Sequence, residues 1–413
     1  MAGAFLFFVG VQRMITPLDE ALAAVRARAQ PLPAEDVLLT EAYGRVLAAG
    51  VRARRDQPAT DISMMDGYAL RAADSGGPLR VAGEIAAGDA PWDRPLKPRE
   101  AARIFTGASL PPGADSVVMQ EHCVPQADEV RVQQPPKPGQ HIRRRGEELT
   151  AGAEALAGGR VLDAADLALA AACGVSSVRA HRRPRVAVLG TGSELVPLGK
   201  DPGPGQIVET NSLTLAALCR DAGADVLRLG IAPDAVESIA ERLRDAPADI
   251  LLTTGGASVG DHDHAQDALE RLGGELIFHT VAIRPGKPVL FGTASGGRLV
   301  FGVPGNPAAA TLGFELFVRL AIRLLSGDPH PGRPRARARL RGTLSRVKGL
   351  TFFPRGRVTA DGSQLVFAPG GQQSSMQIAS WSGANAVAVV APGEGRIEDG
   401  SEIDVLMVGP LAD

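Results

Sequence analysis

Three glycine-bearing loops constrain this chain more than any other feature: GTGSEL at 190–195, TTGGASVGDHDH at 253–264 and GVPGNPAA at 302–309. Each follows a short apolar run, RVAVL (185–189), DILL (249–252) and LVF (299–301), and helical patterns separate the runs. Short Val-, Leu- and Ile-rich runs of this kind read as parallel strands of an α/β sheet. In such sheets the loops leaving the strands' carboxyl ends form the ligand crevice. Glycine there lets backbone N–H groups approach a phosphate or oxyanion, and a helix that follows adds its positive N-terminal end. A single such loop is weak evidence, because a tight turn needs the same residues. Three loops, accompanied by the carboxylates Glu194, Asp261 and Asp263 and the cations Arg284 and Lys287, describe an anion-binding pocket.

At 413 residues the chain exceeds what one core usually supports, so about two to four domains are expected. Charge is balanced, with 44 basic against 46 acidic residues, which gives no sign of a nucleic-acid-binding surface. Cys123, Cys173 and Cys219 are odd in number, far apart and without a CxxC, a usage that fits a reducing, cytoplasmic compartment and buried thiols. The apolar segment AFLFFVGV (4–11) is too short to span a bilayer and has neither a preceding basic region nor a following small-residue cleavage site. Neither a membrane span nor a signal peptide is expected. Met14 is a candidate initiator, with residues 1–13 as an extension.

Along the chain, Thr16-Pro17-Leu18-Asp19 reads as a capping-box-like helix start with Pro at the first helical position. A second, less periodic helical stretch is expected over 35–48. From about 62 to 146 the pattern changes to short strands broken by Gly and Pro (YALRA, LRVAGEI, AARIFTGA, SVVMQEHC, EVRVQQ), a compact β-rich segment. DAADLALAAACG (163–174) carries an Asp N-cap and a Gly stop. Further helices are expected over 211–222 with Asn211 as cap, 235–245 after Asp234, 264–272, and 307–325, the last almost wholly apolar and therefore buried against the sheet. DPHPGRP (328–334) is a linker by its Pro and Gly density. Beyond it RARARLRGTL, TFFPRGRV, QLVFAP, AVAVVAP and EIDVLMVG read as the strands of a small all-β domain.

At MDGYA (65–69), FTGA (105–108), RRRGEE (143–148), GTGSEL, GGASVGDHD, RPGKP (284–288) and VPGNP (303–307) the chain resembles the molybdopterin molybdenumtransferases, the family that includes the E domain of gephyrin. The resemblance runs from Met14 onward, in order and with compatible spacing. It implies a multidomain α/β protein: a MogA-like parallel α/β molybdopterin-binding domain (184–327), an elongated helical domain built from two segments (14–50 and 147–183), a β-rich insertion (51–146) and a C-terminal β-barrel (328–413). It also implies a homodimer that ligates molybdate onto the dithiolene of adenylylated molybdopterin, with Mg²⁺-assisted release of AMP. Other proteins of molybdenum cofactor biosynthesis and acceptor proteins are the further partners it implies.

Against that implication the residues can be assigned. Molybdate is a dianion and molybdopterin-AMP carries phosphates, so fixed cations and N–H donors are needed. Arg284 and Lys287 supply charge on a turn stiffened by Pro285 and Pro288. The family has Lys more often at the first position, and Arg284 replaces a point charge with a planar fork. The backbone of Gly190, Thr191, Gly192, Gly255, Gly256, Pro304, Gly305, Asn306 and Pro307 would cradle the pterin and its phosphates. Carboxylates in a pocket built for anions repel unless a cation lies between, so Glu194, Asp234, Asp261 and Asp263 are expected to hold or support Mg²⁺. For Asp234 a helix N-cap is the competing reading. His262 and His264 alternate with Asp261 and Asp263, but without Cys such neighbours rarely give tetrahedral zinc and are assigned loop roles.

By resemblance Asp66 and Thr106 line the cleft, Asp66 toward metal and water and Thr106 toward an anion; chemistry alone leaves Asp-Gly as a turn. Catalytic roles are thus expected for Asp66, Thr106, Glu194, Asp263 and Lys287. Arg143, Arg144 and Arg145, followed by Glu147 and Glu148, read either as a solvated charge run or as an interdomain ion-pair patch. The family commonly has Asp at position 148, and often Ser two residues after PGNP, where this chain has Ala309. Ser258, Arg355, Ser374 and Ser375 are the candidates to replace that hydroxyl. Two other functions compete. A molybdopterin adenylyltransferase needs neither the insertion nor the barrel, and a gephyrin-like scaffold predicts eroded acidic positions, whereas Asp66, Glu194, Asp234 and Asp263 are all present. Nothing in the sequence separates molybdate from tungstate.

Overall fold

The computed structural model describes residues 15–256 and 264–411. The N-terminal apolar segment, Met14, Ser258, Asp261, His262 and Asp263 lie outside the described residues. Contacts divide the chain into two compact units, residues 1–35 with 181–413, and residues 36–180.

The first unit is built on a six-stranded sheet in the order Asp225–Ala232, Arg185–Thr191, Ile250–Thr254, Arg298–Val303, Pro288–Ala294, Glu275–Thr280. The three strands that carry the glycine loops are adjacent and parallel, as expected. Their near-continuous apolar runs follow from covering both faces. Val186, Val188, Leu252, Phe301 and Val303 pack on one side with the helix Asn211–Asp221 and the long apolar helix, while Ala187, Leu189, Leu251 and Val300 pack on the other with Val236–Arg244 and His264–Arg271. That alternation is the two-residue period of a strand. The last two strands add an antiparallel edge. Ser295–Gly297, with Gly296 at φ +80° and Gly297 at +75°, is too short to carry a crossover helix, so it can only turn the chain back.

The apolar stretch from Pro307 is helical throughout, but a π-helical segment, Phe314–Val318, separates Pro307–Gly313 from Arg319–Leu325. Buried Glu315 in that segment takes a two-pronged ion pair from Arg333 at 2.8 and 3.0 Å. The C-terminal barrel is closed, in the order Arg335–Leu340, Gln364–Pro369, Arg355–Asp361, Ala386–Val389, Glu402–Met407, around Ala338, Leu340, Val358, Phe367, Ala388 and Val405.

Residues 36–180 hold a second six-stranded sheet: Ser116–Met119, Gly67–Leu70, Glu100–Ile104, Leu79–Ile85, Glu129–Val132, Cys123–Gln126. At its margin the buried Glu100 carboxylate accepts from the Lys97 N–H at 3.1 Å and from Arg94 at 3.0 Å, and pairs with Arg80. The backbone donor first, then the two guanidiniums, hold its pKa at about 2 against the cost of burial. The helix Ala164–Ala172 has the anticipated Asp163 cap, completed by Asp166 as a reciprocal capping box.

Four local expectations need correction. Residues 35–48 are not helical: they form the strand Ala34–Leu38 and a 3-10 turn, Leu39–Glu41, and Leu39 N–H donates to Ser176 O at 2.9 Å. With no periodic apolar face, sheet pairing wins. Thr16 does not cap the first helix, Leu18–Arg28, and Pro17 sits at the N-cap; the backbone of Thr16 is committed to Thr280 and Ala282 instead. Asn211 is the first residue of its helix, and Glu209 caps it by accepting from Ser212 N–H at 2.6 Å. Asp234 precedes the N-cap residue Ala235 and makes no capping bond. The three thiols are free and buried, as anticipated. No helix among the described residues is long and apolar enough to cross a membrane.

Candidate active site

At the carboxyl ends of the parallel strands the three glycine loops meet. Gly255 has φ +98°, and a Cβ there would lie 2.1 Å from Thr191 O, so the first two loops touch backbone to backbone at a position only glycine can occupy. Thr254 Oγ1 donates to Pro304 O at 3.2 Å, and Asn211 Nδ2 donates to both Thr254 Oγ1 (2.9 Å) and Gly305 O (2.7 Å), tying in the third loop. Around these contacts opens a cleft of about 760 Å³, walled by Thr191, Glu194, Asp234, Gly255, Gly256, Pro304, Gly305, Asn306 and Pro307 among others. Gly190 lies in the strand Arg185–Thr191 and Gly192 just after it, and neither walls the cleft; a Cβ on Gly192 would lie 2.7 Å from Glu194 Oε2.

Glu194 is exposed to the cleft. Asp234 accepts the Ser193 N–H on Oδ2 at 3.2 Å, and its Oδ1 is buried with no hydrogen-bond partner among the described residues. Such an oxygen is costly unless a cation or donor joins it. Of the three carboxylates on the cleft, Glu209 is spent on Ser212 N–H and Oγ, which leaves Glu194 and Asp234, the latter with an unmatched oxygen, as hard donors that fit Mg²⁺ chemistry. Among the described residues no three His, Cys, Asp or Glu side chains form a metal-binding group.

A second cavity of about 700 Å³ adjoins the first, sharing Pro288, Pro304 and Asn306. Its walls are Arg284, Pro285, Gly286 and Ala309 on the sheet side and Gln372, Gln373, Ser374 and Ser375 on a barrel loop. Gly286, at φ +86°, lets the RPGKP turn pass Ala309, where a Cβ would approach the carbonyl oxygen to 3.2 Å. The Arg284 guanidinium carbon stands 5.4 Å from the Phe352 ring centroid, which holds the charge over an aromatic face at the cavity edge. Ser375 Oγ accepts from Asn306 Nδ2 at 3.2 Å and Ser374 Oγ accepts from Met376 N–H at 3.4 Å, leaving each hydroxyl proton to donate elsewhere. Lys287 is exposed and is not among the residues walling either cavity.

Arg355 is fully buried and is not itself a wall of this cavity; it lies behind Ser374, which is. Its Nη2 donates to Ser374 O at 3.2 Å, its backbone is clasped by Gln373, and Nε and Nη1 have no partner among the described residues. Burial lowers its pKa. A guanidinium with no paired carboxylate is expensive to bury, and an anion in the adjoining cavity is what would offset the expense.

In the 36–180 unit, Thr106 donates to Asp66 Oδ1 twice, from its N–H (2.8 Å) and its hydroxyl (2.7 Å). Pairing of Gly67 with Ile104 on neighbouring antiparallel strands brings the two loops together. These bonds, the backbone one foremost, lower the Asp66 pKa and keep an exposed carboxylate ionised. Thr106 thus spends both donors on Asp66. Arg143, Arg144 and Arg145 form local ion pairs with Glu148, Asp61 and Asp56. Sequence reasoning passed over Glu209, Thr254 and Gln373 and gave Asn211 only a capping role; the ETN run before a helix was the available signal for the first.

Comparison with known proteins agrees with this architecture. Residues 16–174 match the "MoeA N-terminal region (domain I and II)", 187–325 the "Probable molybdopterin binding domain" and 337–408 the "MoeA C-terminal region (domain IV)". A molybdopterin molybdenumtransferase of Nostoc sp. is 38% identical over 387 residues, 91% of this chain and 88% of the relative. Molybdopterin molybdenumtransferase 2 of Mycobacterium tuberculosis is 40% identical over 77% of this chain and 82% of its own. The crystal structure of the molybdopterin biosynthesis MoeA protein of Pyrococcus horikoshii superposes with a TM-score of 0.79 at 28% identity, covering 95% of this chain and all of that one. With loops, barrel and full-length similarity in agreement, the chain belongs to the molybdopterin molybdenumtransferase family.

Proposed function

We propose that this protein, a transferase of molybdenum cofactor biosynthesis, inserts molybdate into adenylylated molybdopterin with release of AMP. The observation that carries the reading is the pair of adjoining cavities, one walled by glycine-loop backbone and by Glu194, Glu209 and Asp234, the other by Arg284 and two serines, with Arg355 behind Ser374 and two of its nitrogens without a partner among the described residues. A phosphorylated pterin suits the first and a small tetrahedral dianion the second. Backbone N–H groups of Thr191, Gly256, Gly305 and Asn306 would orient the phosphates, while that of Gly255 is committed to Val303 O at 3.2 Å. Glu194 and Asp234, with Asp261 and Asp263, would hold Mg²⁺, which when bound neutralises charge developing on phosphate oxygens. Arg284, Arg355, Ser374 and Ser375 would bind molybdate, with Lys287 supplying charge at the same turn and Ser258 a further donor. Purified protein supplied with adenylylated molybdopterin, molybdate and Mg²⁺ is expected to release AMP stoichiometrically with cofactor formed; a scaffold without chemistry would release none.

We further infer a cytoplasmic homodimer in which Asp66 and Thr106 of one subunit complete the cleft of the other. Mixing an Asp66→Asn subunit with an Asp263→Asn subunit should restore part of the activity that each homodimer lacks, through heterodimers with one intact cleft. A monomeric mass by light scattering at micromolar concentration, or no recovery on mixing, would rule the shared cleft out. The domain division proposed here is 14–50 with 147–183, 51–146, 184–327 and 328–413.

A further inference from the structure

Among the described residues, Met376 is the one residue of the barrel segment that walls the first cleft, and at 71% exposure it is the most exposed large apolar side chain. Its exposure is not that of a loose loop. The preceding residue, Ser375, accepts Ala308 N–H on its carbonyl at 3.0 Å and Asn306 Nδ2 on its hydroxyl at 3.2 Å, and Trp381 Nε1 donates to Ala308 O at 3.2 Å. Met376 N–H itself donates to Ser374 Oγ at 3.4 Å. The backbone therefore fixes Ser375 in the second cavity and Met376 in the first, as a wall common to both. Ile207, 55% exposed, half-buried Leu195 and Val208, and Pro288, Pro304 and Pro307 are further apolar side chains of the same cleft, but none of them comes from the barrel segment.

A thioether held in solvent gains only when an apolar or aromatic surface covers it, and sulfur favours the edge and face of aromatic rings. We propose that Met376 is a positioning residue that packs against the planar nitrogen heterocycle of the substrate, with Ile207 as a second apolar contact, so that the barrel loop which presents serines to the oxyanion also clamps the ring. This inference rests on the pterin-nucleotide reading given above. The shared chemistry is a flat heteroaromatic ring, adenine or pterin.

Calorimetric titration of wild type, Met376→Ala and Met376→Leu with adenylylated molybdopterin, molybdopterin and AMP tests it. Met376→Ala should weaken adenylylated molybdopterin about tenfold, the loss expected for much of one buried Met side chain, and Met376→Leu should stay within about twofold. A parallel loss with AMP assigns the contact to adenine, and one with molybdopterin to the pterin; either supports the clamp. The molybdate concentration for half-maximal cofactor formation and the melting temperature should not move, which a merely structural role would not produce alongside the binding loss. Wild-type affinity of Met376→Ala for all three ligands would overturn the inference while leaving the function intact. A wild type that binds none of them would overturn both.

Discussion

Replacing Arg355 with Met is expected to raise the molybdate concentration needed for half-maximal cofactor formation roughly 10- to 150-fold, the loss of one charge-assisted contact. The same change should leave the melting temperature equal or higher. The guanidinium is fully buried, and among the described residues two of its nitrogens have no partner and it has no acidic one, a desolvation penalty that an apolar side chain of similar length removes. Arg355→Lys should fall between, keeping charge but losing the fork that reaches Ser374 O. A molybdate titration with a thermal melt on the same preparations checks both halves. Lower stability with unchanged molybdate dependence would make Arg355 a structural residue of the barrel.

Asp234→Asn is the second large effect. It keeps the side chain's shape and its acceptor for Ser193 N–H but removes the charge from the cleft, so pterin binding should persist while AMP release falls on the order of 10²-fold. Glu194→Gln, on the same cleft, should behave alike. If Mg²⁺ is what these carboxylates hold, both variants should also need more Mg²⁺ for half-maximal AMP release. Equal AMP release by variant and wild type at saturating Mg²⁺ would remove Asp234 from the metal site and leave it an anchor for the 190–195 loop.

The α/β core was legible because its strands are continuous Val and Leu runs that end in glycine, and in the 36–180 unit Asp163 and Gly174 bracket a helix with unmistakable end signals. Boundaries set by tertiary pairing were not. Thr16 carries a capping signature yet spends its backbone on Thr280 and Ala282, and residues 35–48 join strands that only the folded chain brings near. At the site, the sequence assigns Gly255 to the ligand cradle, whereas the need for glycine there comes from Thr191 O, which a Cβ would meet and which only the fold brings near. Arg355 in FPRGR reads as a candidate anion donor on a strand of the all-β domain; that it is fully buried, with Ser374 O as its one side-chain partner among the described residues, depends on the barrel closing around it. Asp66 and Thr106 lie 40 residues apart, and strand register alone makes them a hydrogen-bonded pair. Glu209 escaped notice because a capping carboxylate two residues before a helix resembles any acidic loop residue.

The placement of the oxyanion is the claim on which the account turns, and a molybdate-soaked crystal measured at the molybdenum absorption edge tests it most directly. The expected result is one anomalous peak in the cavity between Arg284 and the Ser374–Ser375 loop, within hydrogen-bonding reach of a serine hydroxyl and on the side of Arg355. A peak instead among the glycine loops beside Asp234, or no peak at a concentration that saturates AMP release, would contradict it.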